Sequence, residues 1–242
     1  MSARATAPAS PAPPRKRAAP RQPAAQGATA GAPAGAESER VVQILSESAR
    51  LFAEGGFEGV SMRDIAEACG ISKSLLYHHF TDKDEIYARI ALGSTQELFA
   101  FVDARIPADA VATEQLRAFM VATAEYFHRF RWAWLASTTA FWNDPQERRR
   151  KERMVWRDRY EALLRSILAR GVETGEFRDM DVPAAGRLVL SALNWMHRWY
   201  KPDKPLHPVQ IAETFHDLIF GGLRAWPEAP PPPARKRVPR GG

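Results

Sequence analysis

Cysteine is almost missing from this chain: Cys69 stands alone among 242 residues and has no internal partner for a disulfide. That usage suits a reducing compartment. The first residues lack the unbroken apolar stretch of a signal peptide, and their prolines break any amphipathic transit helix. No run reaches the length needed to span a bilayer. Together these absences lead us to expect a soluble, cytoplasmic protein with no membrane partner. Catalytic groupings are missing as well. The adjacent His78 and His79 diverge on a helix, and no H-x-x-x-H spacing or cysteine cluster is present. We therefore expect no enzyme activity, no metal and no resident cofactor.

Residues 1–36 contain no Leu, Ile, Val, aromatic or acidic residue and are mostly Ala and Pro; residues 227–242 continue that style in PEAPPPPARKRVPRGG. Neither stretch can bury enough apolar surface to offset its ordering entropy, so both are expected to be disordered tails. They also carry the basic charge. The first holds +5 and the second +3, which leaves residues 37–226 at −2 despite the overall +6. A high isoelectric point that resides in tails is weak support for nucleic-acid binding. The arms are either solubilising or an auxiliary hold on phosphate.

The body lacks strand-like alternation and reads as helices throughout, an all-α chain. Apolar residues at Val41, Leu45, Ser48/Ala49 and Phe52 form a first helical stripe, closed by Gly55-Gly56. Ser61 and Asp64 give an S-x-x-D start to a short helix that turns Ile65 and Ala66 inward. Gly70 supplies a turn, Ser72 is placed to cap the next helix, and Asp82 with Glu85 opens a long fourth one. Helical periodicity then runs to Trp226, with interruptions at Pro107, 143–145, Gly175, Pro183 and 202–208.

Two short helices joined by a tight glycine turn behind a longer first helix make a helix-turn-helix, whose second helix reads the major groove. In GISKSLLYHHF, residues 70–80, Ile71, Leu76 and Phe80 point inward. Ser74 and His78 face the opposite way, flanked by Lys73, Leu75 and Tyr77. Lys73 suits a phosphate or guanine edge, and Leu75 a thymine methyl. Tyr77 and His79 suit phosphate, which positions without specifying. A merely solvated face would mix Glu with Lys, yet residues 70–81 contain no acid. Residues 37–86 nonetheless carry ten acids against five bases, so affinity for DNA must come from local placement, dimerisation and the arm.

This arrangement resembles the TetR family of transcriptional regulators. The segments LFAEGGFEGV, SMRDIAEACG, ISKSLLYHHF and TDKDEIY follow that family's N-terminal signature. The resemblance implies a DNA-binding domain over 37–86, in which Ser61 and Lys83 touch phosphates, and an effector and dimerisation domain over 87–226. It also implies a homodimer on a pseudo-palindromic operator in the bacterial cytoplasm.

In the second domain, FHRFRWAWLASTTAFW (127–142) holds three Trp and three Phe. Such rings are either core or the walls of a cavity, here Phe127, Phe130, Trp134, Phe141 and Trp142. Arg149, Arg153 and Arg157 follow at a spacing of four, within a segment of nine bases and four acids over 147–170. One reading is a solvated, salt-bridged face; the other is a seat for an anionic ligand with a large apolar part. The stretch GVETGEFRDMDVPAAGRLVLSALNWMHRWYKPDKP is similar to the C-terminal half of TetR regulators of fatty-acid, phenylacetate and steroid-ring breakdown. That likeness implies an acyl- or aryl-CoA thioester as effector, with Asn194, Arg198 and Trp199 as positions near it, although Trp195 and Trp199 equally suit a dimer interface. Helices at about 183–200 and 208–225 would pair with their copies. The alternatives are a sensor of lipophilic drugs controlling an efflux pump and a ligand-independent DNA-binding protein of the same fold.

Overall fold

The computed structural model describes the backbone of residues 34–143 and 147–223, and the side chains of residues 39–138 and 147–222. The tails expected over 1–36 and 227–242, and the side chains of Phe141 and Trp142, lie outside the described residues apart from residues 34–36. Those three open α1 instead of ending the tail: helix propagates back through Ala34 and Ala36, which are good helix formers.

Nine helices and no strand make up the described residues. The helix α1 (Ala34–Gly59) breaks at Gly56, whose φ of 73° is a left-handed conformation that favours glycine. α2 (Met62–Ala68) and α3 (Lys73–His79) follow, joined through Gly70 at φ 64°. α4 (Lys83–Asp103) and α5 (Ala112–Arg129) are long; α6 (Arg131–Asn143) starts almost where α5 stops. α7 (Glu147–Glu173), α8 (Val182–Trp199) and α9 (Pro208–Leu223) complete the chain.

Two apolar cores organise these elements. In the first, Ile44, Phe52, Ile65, Leu76, Phe80 and Ile86 are buried together. In the second, Leu116, Phe119, Tyr126, Leu164, Leu168 and Leu193 are buried. α4 belongs to both, giving Ile86 and Ile90 to the first and Val102 to the second. No described helix is long and apolar enough to cross a membrane.

Candidate nucleic-acid interface and effector groove

Caps set the start of each short helix in the head. The Ser61 hydroxyl accepts the N–H of Asp64 at 3.3 Å, and the Asp64 carboxylate accepts the Ser61 N–H at 2.8 Å, closing a capping box. Hydrogen bonds from the Ser61 hydroxyl and backbone hold the Asp64 carboxyl below its ordinary range. Ser72 accepts the N–H of Leu75 at 3.1 Å and fixes the entry into α3. Leu76 and Phe80 are then fully buried, and that rotation leaves Lys73, Ser74, Leu75, Tyr77 and His78 exposed. Tyr77 is 50 % exposed, a large ring held in solvent without a packing reason. His79 is half-buried and meets His78 edge-on at 5.3 Å.

Four of the nine expected DNA-binding residues meet at one place. Ser61, Lys73, Tyr77 and Lys83 surround a shallow hollow of about 410 Å³ with Arg63, which sequence reasoning missed. Its signal was available: Arg63 lies two residues after the cap Ser61, on the side opposite the inward Ile65. Lys83 is partly committed, since its ammonium donates to the Phe57 carbonyl at 2.7 Å and lies 4.2 Å from that ring. Ser61 likewise gives its hydroxyl proton to Asp64 at 2.7 Å. Both still sit at helix starts, where backbone N–H groups favour an anion.

The aromatic cavity requires correction. Phe127 and Trp134 are buried and pack edge-on at 5.6 Å, with Tyr200 against Phe127 at 5.6 Å. They fill core instead of lining a shared chamber. The reason is the bend between α5 and α6 at Phe130 (φ −117°, ψ 38°), which folds the aromatic run back on itself. Phe130 turns toward α1 and α4.

The arginine face is also not one face. Arg149 is half-exposed with its guanidinium 3.4 Å from the Asp84 carbonyl at the start of α4. Arg153 is 3 % exposed, turned into the protein on the stripe that continues through Tyr160 and Leu164. Only Arg157 reaches an open site. Arg198 is exposed and lies 5.3 Å from the ring of Trp195 without itself lining that site.

That site is a groove of about 750 Å³ between α7, α8 and α9. Its floor is Tyr160, whose hydroxyl is 2.6 Å from Thr123 and whose burial pushes the phenol far above its usual range. Arg157 and Asn194 line it, and so do Trp195, Trp199 and Phe215. Arg187 lines it too and has no carboxylate partner among the described residues. Sequence reasoning passed over Arg187, yet it shares a helical face with Ser191, Asn194 and Trp195. The one acid, Glu161, is bound to Arg165. The groove therefore pairs two guanidiniums with indole and phenyl walls.

The groove opens onto an uncovered apolar stripe that includes two of its lining residues, Trp195 and Trp199. On α8, Gly186, Val189, Leu193 and Met196 face the core, while Leu188, Trp195 and Trp199 are 57 %, 62 % and 45 % exposed. On α9, Leu218 is 71 % exposed. Among the described residues no group of three or more His, Cys, Asp or Glu gathers as a metal site.

Comparison with known proteins bears on both regions. The family model "Bacterial regulatory proteins, tetR family" matches residues 44–90, and "Tetracyclin repressor-like, C-terminal domain" matches residues 109–223. The chain is 29 % identical over 200 residues to the HTH-type transcriptional repressor KstR2 of Mycobacterium tuberculosis, covering 78 % of this chain and 96 % of that one. The crystal structure of PfmR from Thermus thermophilus is similar, with 42 % identity, 75 % and 99 % coverage and a TM-score of 0.70. So is AibR in complex with isovaleryl coenzyme A and operator DNA, at 27 % identity, 75 % and 98 % coverage and a TM-score of 0.66. With a capped helix-turn-helix at its head and family matches through both cores, the chain belongs to the TetR family of bacterial transcriptional regulators.

Proposed function

We propose that this protein is a cytoplasmic repressor that binds a pseudo-palindromic operator as a homodimer and leaves it on binding an acyl- or aryl-CoA thioester. The exposed, acid-free face of α3 carries the DNA half of this reading: Lys73, Ser74, Leu75, Tyr77 and His78 project from a helix fixed by Leu76. Dimerisation supplies what a head with ten acids against five bases lacks. The stripe of Leu188, Trp195, Trp199 and Leu218 offers apolar area for α8 and α9 to pair with their copies. Two heads then read half-sites about one helical turn apart.

The groove carries the effector half. Arg157 and Arg187 suit CoA phosphates, because a guanidinium fork matches phosphate oxygens, and Leu190 and Phe215 suit the acyl or aryl part. The likeness to AibR, which binds isovaleryl coenzyme A, supports this ligand class. Arg149 and Arg153 have no part in it, being turned to α4 and to the core. Release requires only that the thioester favour a non-binding arrangement of the two heads, with a coupling of about 1–3 kcal/mol.

Titrating CoA thioesters of different acyl shapes against a labelled operator complex tests the proposal, with the free acids as controls. Thioesters should release the DNA, and Arg187→Gln should weaken that response without altering any response to the free acids. A thioester response unchanged by Arg187→Gln removes the arginine role. Release by a lipophilic cation alone favours a drug sensor.

A further inference from the structure

A second cavity, of about 310 Å³, opens where the head meets the body. Its apolar walls come from Leu45 and Ala49 on α1, Ile90 on α4, and Phe130 and Trp132 at the α5–α6 bend. It shares no lining residue with the groove between α7 and α8. Its volume falls at the lower end of small-molecule sites.

Charge in this cavity is one-sided. Arg89, Arg129 and Arg131 line it against a single carboxylate, that of Glu97. Arg89 is partly compensated by Glu85 at 3.8 Å. Arg129 and Arg131 have no carboxylate partner among the described residues and lie 5.2 Å and 5.5 Å from the rings of Phe130 and Trp132. The Nε–H of Arg131 is buried without an acceptor, the condition that a buried donor avoids when it can. Residues 131–133 are also the first turn of α6, whose N–H groups have no acceptor within the helix.

Gly93 adds an independent observation. It sits inside α4, where glycine is less favourable than alanine. Its φ is not positive, and a Cβ built there would meet nothing within 4 Å. Neither backbone conformation nor close packing requires a glycine. Gly93 lines the cavity, so a longer side chain there would take up part of its space.

We propose that the cavity binds a small amphipathic carboxylate, its aryl or alkyl part against Leu45, Ile90 and Phe130 and its carboxylate between Arg129 and Arg131. Occupancy couples to operator affinity, because the cavity walls belong partly to α1 of the DNA-reading head and partly to α6 of the body. A ligand held by both favours the head angle that keeps those walls at their present spacing. The floor is continuous with the second core: the Tyr126 hydroxyl donates to the Ser94 carbonyl at 3.0 Å, and Ser94 lines the cavity.

The test is calorimetric titration of the full chain with sodium 4-phenylbutyrate, phenylacetate and octanoate, using 4-phenylbutanamide as the uncharged counterpart. At least one acid should bind once per protomer, with the amide about tenfold weaker or more. The double variant Arg129→Gln/Arg131→Gln should lose a similar factor, and Gly93→Leu, which fills the space, should not bind. The arginine variants carry the test whether or not Gly93→Leu folds. Operator affinity should shift by about fivefold or more with the bound acid present. Absence of saturable binding by all three acids, equal binding of acid and amide, or unchanged affinity in the arginine variant overturns the site; an unchanged operator affinity overturns the coupling. Arg187→Gln should leave this binding intact, so its outcome is separate from that of the thioester titration.

Discussion

Glu176 caps a helix whose start lies 64 residues earlier in the chain, accepting the backbone N–H of Thr113 at 2.9 Å. The same carboxylate accepts the Thr113 hydroxyl at 2.9 Å and the N–H of Ala112 at 3.0 Å. α5 has no side-chain cap of its own, because Val111 stands at the cap position. The turn after α7, built on Gly175 at φ 75°, therefore secures the start of α5.

This link makes stability depend on acid. Desolvation raises the Glu176 carboxyl, but the hydrogen bonds from Thr113 and Ala112 outweigh it and hold the group below its ordinary value. Its contribution is therefore complete above the unfolded carboxylate range near 4.3 and is lost as pH falls below it. Glu176→Ala should cost about 1 kcal/mol at pH 7, as for a lost helix cap, and less at pH 3. Thermal melts of both proteins at the two pH values check this; an equal penalty at both contradicts it.

The two faces of α3 should separate by phenotype. Lys73→Ala or Tyr77→Ala should keep the melting profile and weaken operator binding, by about 1–3 kcal/mol if a base contact is lost. Leu76→Ala should instead destabilise the protein by about 2–5 kcal/mol, because it empties a fully buried site. Mobility-shift assays paired with thermal melts distinguish the two, and the opposite pattern would mean that the helix is rotated.

Gly171→Ala should be severe. A Cβ there would fall 2.1 Å from the Phe177 ring, which is itself buried, and the Phe177 N–H bonds the Gly171 carbonyl at 2.8 Å. Overpacking of this kind typically costs about 1–3 kcal/mol. Chemical denaturation should register the loss, and adding Phe177→Leu should recover part of it.

Trp195→Glu or Leu218→Glu should convert dimer to monomer in sedimentation and reduce operator binding with it. Each places a charge on the exposed stripe of α8 and α9 without touching the core. A monomeric wild-type protein at micromolar concentration would remove the basis of this prediction.

Much of the fold was legible because local signals agreed with tertiary need. Ser61, Ser72 and Asp82 cap the helices they were expected to cap, and Ile65, Leu76 and Phe80 are buried. The two C-terminal helices fall within a residue or two of expectation at Val182–Trp199 and Pro208–Leu223. The bend at Phe130 was not legible, since no proline or glycine marks it; tertiary packing imposes it. That one bend turned Phe127 and Trp134 from cavity walls into core. The arginine row scattered because a spacing of four drifts by about 40° per step on a helix of about 3.6 residues per turn, so Arg149, Arg153 and Arg157 meet α4, the interior and the groove in turn. Glu176 was invisible because its cap joins residues far apart in sequence.

α4 contains 21 residues and shares both cores, so it acts as a stiff lever about 30 Å long. A tilt of about 4° at its body end would carry its head end about 2 Å sideways. A hydrogen bond to a base edge tolerates only a few tenths of an ångström. Mechanical gain of this size means that the body need not reshape itself to silence the head; a change in side-chain packing no wider than one methyl group is displacement enough.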